Sequence, residues 1–185
     1  MLTLIDSGLL GELDASREIA ALVGLIYLLT AGAVGFGIVA PKSGAHVLNV
    51  EDAEELREMR PMLVWSCLGT FALALLLILA ALAGPAMPIA PVPALAIIAV
   101  LFAFAWYASH RQRAHTDELM RAVSSDATSL AFYLVVLLGG GWSLLTHLGL
   151  VEATLAPLDW LSLFAGLLLV ASFAITVKRG MVREL

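Results

Sequence analysis

The fold is decided by residues 62–109, which read MLVWSCLGTFALALLLILAALAGPAMPIAPVPALAIIAVLFAFAWYAS. No side chain in this stretch is acidic, basic or a histidine. One transmembrane helix needs about 20 mostly apolar residues, so the stretch is too long for a single span. Its middle is interrupted by residues typical of turns, which are Gly84, Pro85, Pro88, Pro91 and Pro93. It therefore predicts a tight hairpin of two transmembrane helices.

Three further apolar segments flank this hairpin. Overall, 61% of the residues are hydrophobic, against about 45–50% in soluble domains. We therefore expect an all-α integral membrane protein with five transmembrane helices, built as one domain over residues 1–185. The first span stands alone, and the fourth and fifth form a second hairpin. The predicted spans are residues 19–40, 62–83, 92–109, 129–148 and 158–177.

The basic residues indicate which way the chain crosses the membrane. Nine of the ten Lys and Arg residues fall on one side of the predicted bilayer: Lys42, Arg57, Arg60, Arg111, Arg113, Arg121, Lys178, Arg179 and Arg183. The opposite side has only Arg17. Since Lys and Arg accumulate in cytoplasmic loops, we expect the N-terminus outside and the C-terminus in the cytoplasm. An odd number of spans places the two ends of the chain on opposite sides of the membrane, which agrees with this orientation.

Residues 1–18 do not look like a signal peptide, because they lack a basic start and carry four acidic residues. Six large aliphatic residues are mixed with those acids. We expect an amphipathic helix lying in the membrane interface, with a disordered tail as the alternative.

Several functional classes are disfavoured by the sequence. No Asp, Glu, Lys or Arg falls in the central part of a predicted span, and His147 lies near the outer end of the fourth. Buried charges usually mark ion pathways and proton relays, so an ion-coupled transporter is disfavoured. The net charge of -5 gives no basic surplus for nucleic acid. No cofactor is predicted, and the lone Cys67 allows no intrachain disulfide.

His147, Glu152 and Asp159 form a candidate polar site at the outer face. Two carboxylates and one imidazole are typical metal ligands, but a single histidine is weak support, so no metal is predicted. The preferred interpretation is an interfacial histidine, with Trp142 and Trp160 as belt residues.

Two groups of residues are predicted to act on the cytoplasmic side. Arg111, Arg113, Lys178 and Arg179 are expected to contact anionic lipid headgroups. The hydrophilic segment Glu51–Arg60 predicts a short helix leading into the second span. It is interpreted either as a solvated connector or as a docking surface for a cytoplasmic partner.

Small residues inside the spans predict close helix packing or a cavity. In the first span, Ala31 and Gly35 are four residues apart, a spacing that lets helix backbones approach. The candidate packing or cavity residues elsewhere are Ser66, Thr70, Gly139, Gly140 and Gly141. Each glycine in a helix lowers the stability of that helix by about 1 kcal/mol relative to alanine. Either close packing or a bound ligand should therefore offset the loss of stability at the three glycines.

The run from Asp117-Glu118 through Asp126-Ala127 to Phe132-Tyr133 resembles small bacterial inner-membrane proteins. The resemblance covers the C-terminal third of the chain. It implies a multi-pass protein of a bacterial inner membrane and no particular activity.

Three functions follow, in order of preference. The first is a non-enzymatic accessory, regulatory or assembly subunit that binds lipids and forms a homo-oligomer or joins a membrane protein partner. The second is a carrier or channel for a neutral or lipophilic solute. The third is a membrane enzyme, or a lipid- or pigment-binding protein, with an interfacial site.

The orientation is testable with reporters fused at residue 87, in the turn of the first hairpin. We expect alkaline phosphatase fused there to be active and a cytoplasmic fluorescent reporter to be dark, because this turn is expected outside. A fluorescent fusion at residue 87 would refute the orientation.

Overall fold

The computed structural model describes residues 14–43, 53–85, 87–152 and 155–179. These residues are nearly all helical, and five helices are long and apolar enough to cross a membrane. The predicted helical class and number of candidate spans are therefore confirmed. The helices are α1 Ala15–Val39, α2 Ala53–Glu58, α3 Arg60–Leu82, α4 Pro91–Arg113, α5 Glu118–Val135, a π-helical turn Val136–Gly140, α6 Gly141–His147 and α7 Pro157–Lys178. The N-terminal helix expected within residues 1–18 falls mainly on residues 1–13, which lie outside the described residues.

The fourth candidate span is longer than the sequence predicts. Its helix runs from Glu118 to His147 through α5, the π-helical turn and α6, rather than beginning near residue 129. Asp117 caps its start by accepting a hydrogen bond from the Met120 N–H at 2.7 Å. Hydropathy locates the apolar part of a helix, whereas a cap determines where its backbone begins.

Backbone contacts divide the chain into two compact units, residues 1–115 and 116–185. Unit 1 contains α1 to α4, and unit 2 contains α5 to α7.

In unit 1, α3 packs against α1 in the opposite direction, at very short range. A Cβ atom placed on Gly24 would lie 2.9 Å from Ile78 Cγ1 and 3.2 Å from the Ala74 carbonyl oxygen. Nearer the other end of the pair, the Cys67 thiol donates to the Ala31 carbonyl oxygen at 3.3 Å. Small side chains thus set how closely the two backbones approach.

The opposite side of α3 packs against α4, again antiparallel. A Cβ on Gly69 would contact Ala108 Cβ at 3.4 Å, and Ala108 is fully buried. The rings of Trp65 and Tyr107 meet edge to face, with centroids 5.6 Å apart. Unit 1 is therefore organised around α3.

The hairpin turn between α3 and α4 is closed by Arg17 at the start of α1. Arg17 Nη1 donates to the carbonyl oxygens of Ala81 at 2.8 Å and Ala83 at 2.7 Å. These carbonyl groups lie at the C-terminal end of α3. The last carbonyl groups of a helix have no N–H partners within the helix. The backbone N–H of Gly84 donates to Ile89 across the turn at 3.0 Å. The single basic residue predicted on the outer side thus ties α1 to the end of α3.

In unit 2, the long fourth span and α7 run antiparallel. Val123 and Ala127 form a buried cluster with Ile175 near one end, and Gly139 approaches Trp160 nearer the other. Arg179 makes an ion pair with Asp126. Unit 2 is therefore a helical hairpin with a small core.

Gly24→Leu tests the α1–α3 contact. We expect it to lower the free energy of unfolding by about 1–3 kcal/mol, since the backbone at Ala74 must move away. The measurement is thermal unfolding in detergent followed by circular dichroism.

Gly32→Leu is the matched control on the same helix, because a Cβ there would have no described atom within 4 Å. Equal losses in the two variants would contradict the assigned contact.

Candidate functional site

The structure gives Asp159 of the predicted outer-face site a local role. Its Oδ2 atom accepts a hydrogen bond from the Ala156 N–H at 2.6 Å, which stabilises the first turn of α7. His147 and Glu152 are exposed. Within the described ranges, no three His, Cys, Asp or Glu side chains come close enough to hold a metal ion. The outer-face site itself stays a prediction.

Two unpaired polar atoms lie at the same end of unit 2. Among the described residues, the buried side-chain atoms without a hydrogen-bond partner are Trp142 Nε1 and Asp159 Oδ1. Trp142 is one helical turn beyond Gly139, which contacts Trp160, so the antiparallel pairing places it level with the first turn of α7. A buried donor and a buried acceptor at this end of unit 2 therefore lack hydrogen-bond partners among the described residues.

The three consecutive glycines divide into two kinds. A Cβ on Gly139 would lie 2.6 Å from Trp160 Cζ3, so the indole of Trp160 occupies the space that a side chain would need. At Gly140 and Gly141, a Cβ would have no described atom within 4 Å. Helix packing within the chain therefore accounts for Gly139, whereas the exposed Gly140 and the half-buried Gly141 have no such contact among the described residues.

The first two of these glycines belong to the π-helical turn Val136–Gly140. A π-helical turn inserts one residue into an α-helix and locally changes its direction, and such turns are frequent at functional sites. Of the other candidate residues, Ser66 and Thr70 lie on α3 and are half-buried. Their role as cavity residues stays a prediction.

Two of the predicted headgroup contacts have partners within the chain. The Arg111 guanidinium lies over the Trp65 ring, 5.6 Å from its centroid, and Arg179 pairs with Asp126. Arg113 and Lys178 are exposed. A cation over an aromatic ring at the protein surface gains about 0.5–1 kcal/mol, so Arg111 is held in place over the half-buried Trp65 without losing its charge.

The segment predicted from Glu51 to Arg60 forms one wall of a cleft. Residues 51 and 52 lie outside the described residues, and α2 follows from Ala53. Leu56 is only 2% exposed and anchors α2 within unit 1. The cleft has a volume of about 530 Å³ and is lined by Ile38, Val39, Pro41, Leu56, Arg57 and Arg60.

Several of these features were missed by sequence reasoning. The sequence shows Arg17 only as a basic residue, without its contacts to the end of α3. The close contact at Gly139 depends on Trp160, which is distant in sequence. The cleft had one signal in the sequence, which is the apolar Leu56 among acidic and basic neighbours.

Comparison with protein-family models, curated proteins and solved structures found no match to this chain.

The capping role of Asp159 predicts the effect of removing it. We expect Asp159→Ala to lower the free energy of unfolding by about 1 kcal/mol, because the Ala156 N–H loses its charged acceptor. Thermal unfolding of the purified protein in detergent measures this. Glu152→Ala removes a nearby exposed carboxylate and should leave the midpoint unchanged. A similar loss in both variants would show that general charge, not the cap, is responsible.

Proposed function

We propose that this chain is a non-enzymatic accessory, regulatory or assembly subunit of a bacterial inner membrane, which acts by packing against another transmembrane protein or a second copy of itself. The observation that carries this proposal is the uncovered pair Gly140 and Gly141 on the fourth span.

A helical glycine that faces lipid is hard to explain by stability. It costs about 1 kcal/mol relative to alanine in a helix. At Gly139 the close approach of Trp160 compensates for that cost. Gly140 and Gly141 have no such contact within the described chain. In membranes, small residues allow close helix association, so a helix from outside the chain supplies the missing contact.

The burial of the spans also supports a partner that packs on unit 2. In α3, 28% of the most apolar window is buried within the chain, against 11% in each long helix of unit 2. Large apolar side chains are suited to lipid contact, but exposed glycines are not. The uncovered surface of unit 2 therefore combines lipid-facing residues with a site suited to another helix.

The distribution of charge supports a protein that does not move ions. The central parts of the spans lack Asp, Glu, Lys and Arg, the side chains on which ion-coupled transport usually depends. In unit 1, the antiparallel packing brings basic residues to one end: Lys42, Arg57, Arg60, Arg111 and Arg113. This supports the proposed orientation, in which that end and the C-terminus are cytoplasmic and the N-terminus is outside.

A second candidate function is supported by the unpaired atoms in unit 2. Trp142 Nε1 and Asp159 Oδ1 are a buried donor and acceptor without partners. They favour a lipid- or pigment-binding protein that holds a hydroxylated group near the outer end of the fourth span. A carrier for neutral solutes has no comparable support.

Gly140→Leu and Gly141→Leu test the assembly role. We expect each to leave the midpoint of thermal unfolding of the isolated chain unchanged or higher, since neither Cβ meets a described atom and leucine is the better helix former. Each should shift the native assembly, extracted in mild detergent and sized by blue native electrophoresis, to a smaller species.

Gly139→Leu is the matched comparison, because it should destabilise the isolated chain by displacing Trp160. Assemblies of unchanged size in both Gly140→Leu and Gly141→Leu would refute the assembly role. Loss of stability in those two variants would show that the glycines serve the chain's own fold.

A further inference from the structure

We propose that the cleft between the end of α1 and the start of α3 binds the headgroup of an anionic phospholipid. Its lining residues are Ile38, Val39, Pro41, Leu56, Arg57 and Arg60. The site needs no partner protein, so it goes beyond the proposed function.

One wall of the cleft is suited to lipid tails. Ile38 and Val39 come from the last turn of α1, and Leu56 comes from α2. Val39 is 85% exposed, so the apolar wall continues outward onto the lipid-facing surface of α1. A bound molecule therefore contacts apolar side chains on one side of the cleft and reaches the bilayer along α1.

The other wall carries two arginines. Arg57 and Arg60 both line the cleft, and both are exposed. The planar guanidinium group offers paired N–H donors that match two oxygens of a phosphate, and it is weakly hydrated compared with an ammonium. Two arginines at one cleft therefore favour an anionic headgroup over a neutral one.

Two acidic residues of α2 neighbour Arg57 but do not line the cleft. Glu54 is three residues from Arg57 and therefore shares its side of the helix, and Glu58 follows Arg57 directly. Neither glutamate lines the cleft, whereas Arg57 does. The charged side chains that line the cleft are therefore both basic.

The surroundings favour a bilayer lipid over a free phosphate or a soluble acidic peptide. Trp65 and Tyr107 lie at the same end of unit 1, with Arg111 over the Trp65 ring. Aromatic and basic side chains together are typical of the membrane interface. A free anion would leave the apolar wall of the cleft unused.

Native mass spectrometry of the purified protein in detergent tests the site. Phosphatidylglycerol and phosphatidylethanolamine are titrated separately, and the bound fraction is measured. We expect phosphatidylglycerol to bind more tightly. Arg57→Gln/Arg60→Gln should weaken phosphatidylglycerol binding by roughly 10- to 30-fold, since each basic residue contributes about tenfold or less, and should leave phosphatidylethanolamine binding unchanged.

Arg113→Gln/Arg121→Gln is the charge-matched control, because neither residue lines the cleft. It should weaken binding by less than about threefold. Equal losses in the two double variants would overturn the proposal, because diffuse attraction would then explain binding. Full displacement of the lipid by millimolar inorganic phosphate would overturn it in favour of a phosphate site.

Arg57→Lys/Arg60→Lys separates the site from a folding defect. This variant keeps both charges but loses the paired donors of the guanidinium groups, so we expect a normal circular dichroism spectrum and partial phosphatidylglycerol binding. If the glutamine variant loses helical structure, the lysine variant decides: partial or full binding supports a charged site, and complete loss contradicts it. A dimer that depends on Arg57 and Arg60 without lipid would assign the cleft to a second copy instead.

Discussion

Arg17 closes the end of α3, and the arrangement of unit 1 depends on this contact. A bilayer offers no water to free backbone groups, so the protein must satisfy its own helix ends. The Arg17 guanidinium reaches from the first turn of α1 to the carbonyls of Ala81 and Ala83. One side chain thus satisfies the helix end and holds α1 beside α3 where the hairpin turns. Asp117 and Asp159 cap the starts of α5 and α7, the first of them at an exposed position.

The second constraint is the distance between helices. Without a hydrophobic force between helices in lipid, association depends on close contact of small residues. Gly24 lets α3 approach α1, the small residues Gly69 and Ala108 meet where α3 packs against α4, and Gly139 receives the indole of Trp160. The glycines that lack such contacts, Gly140 and Gly141, mark the surface where contact from outside the chain is proposed.

The basic residues at the two ends of unit 1 have different roles. The basic residues at one end of unit 1 are exposed or stack on aromatic rings, whereas the basic residue at the other end is used by the fold. This explains why Arg17 does not argue against the proposed orientation, since its charge is engaged by backbone carbonyls. It also leaves Arg57 and Arg60, beside an apolar wall, as the best-placed cations for a lipid.

The sequence by itself determined the helical membrane class and the number of candidate spans, because apolar length and turn residues are local properties. It also identified His147, Asp159 and the glycine run as candidates. Only the tertiary structure decided what these residues touch: Asp159 caps α7, Gly139 packs on Trp160, and Arg17 closes α3. The cleft likewise joins Ile38 to Leu56 and Arg60. Such contacts join positions distant in the chain, and in uniformly apolar helices no periodic pattern shows which faces meet.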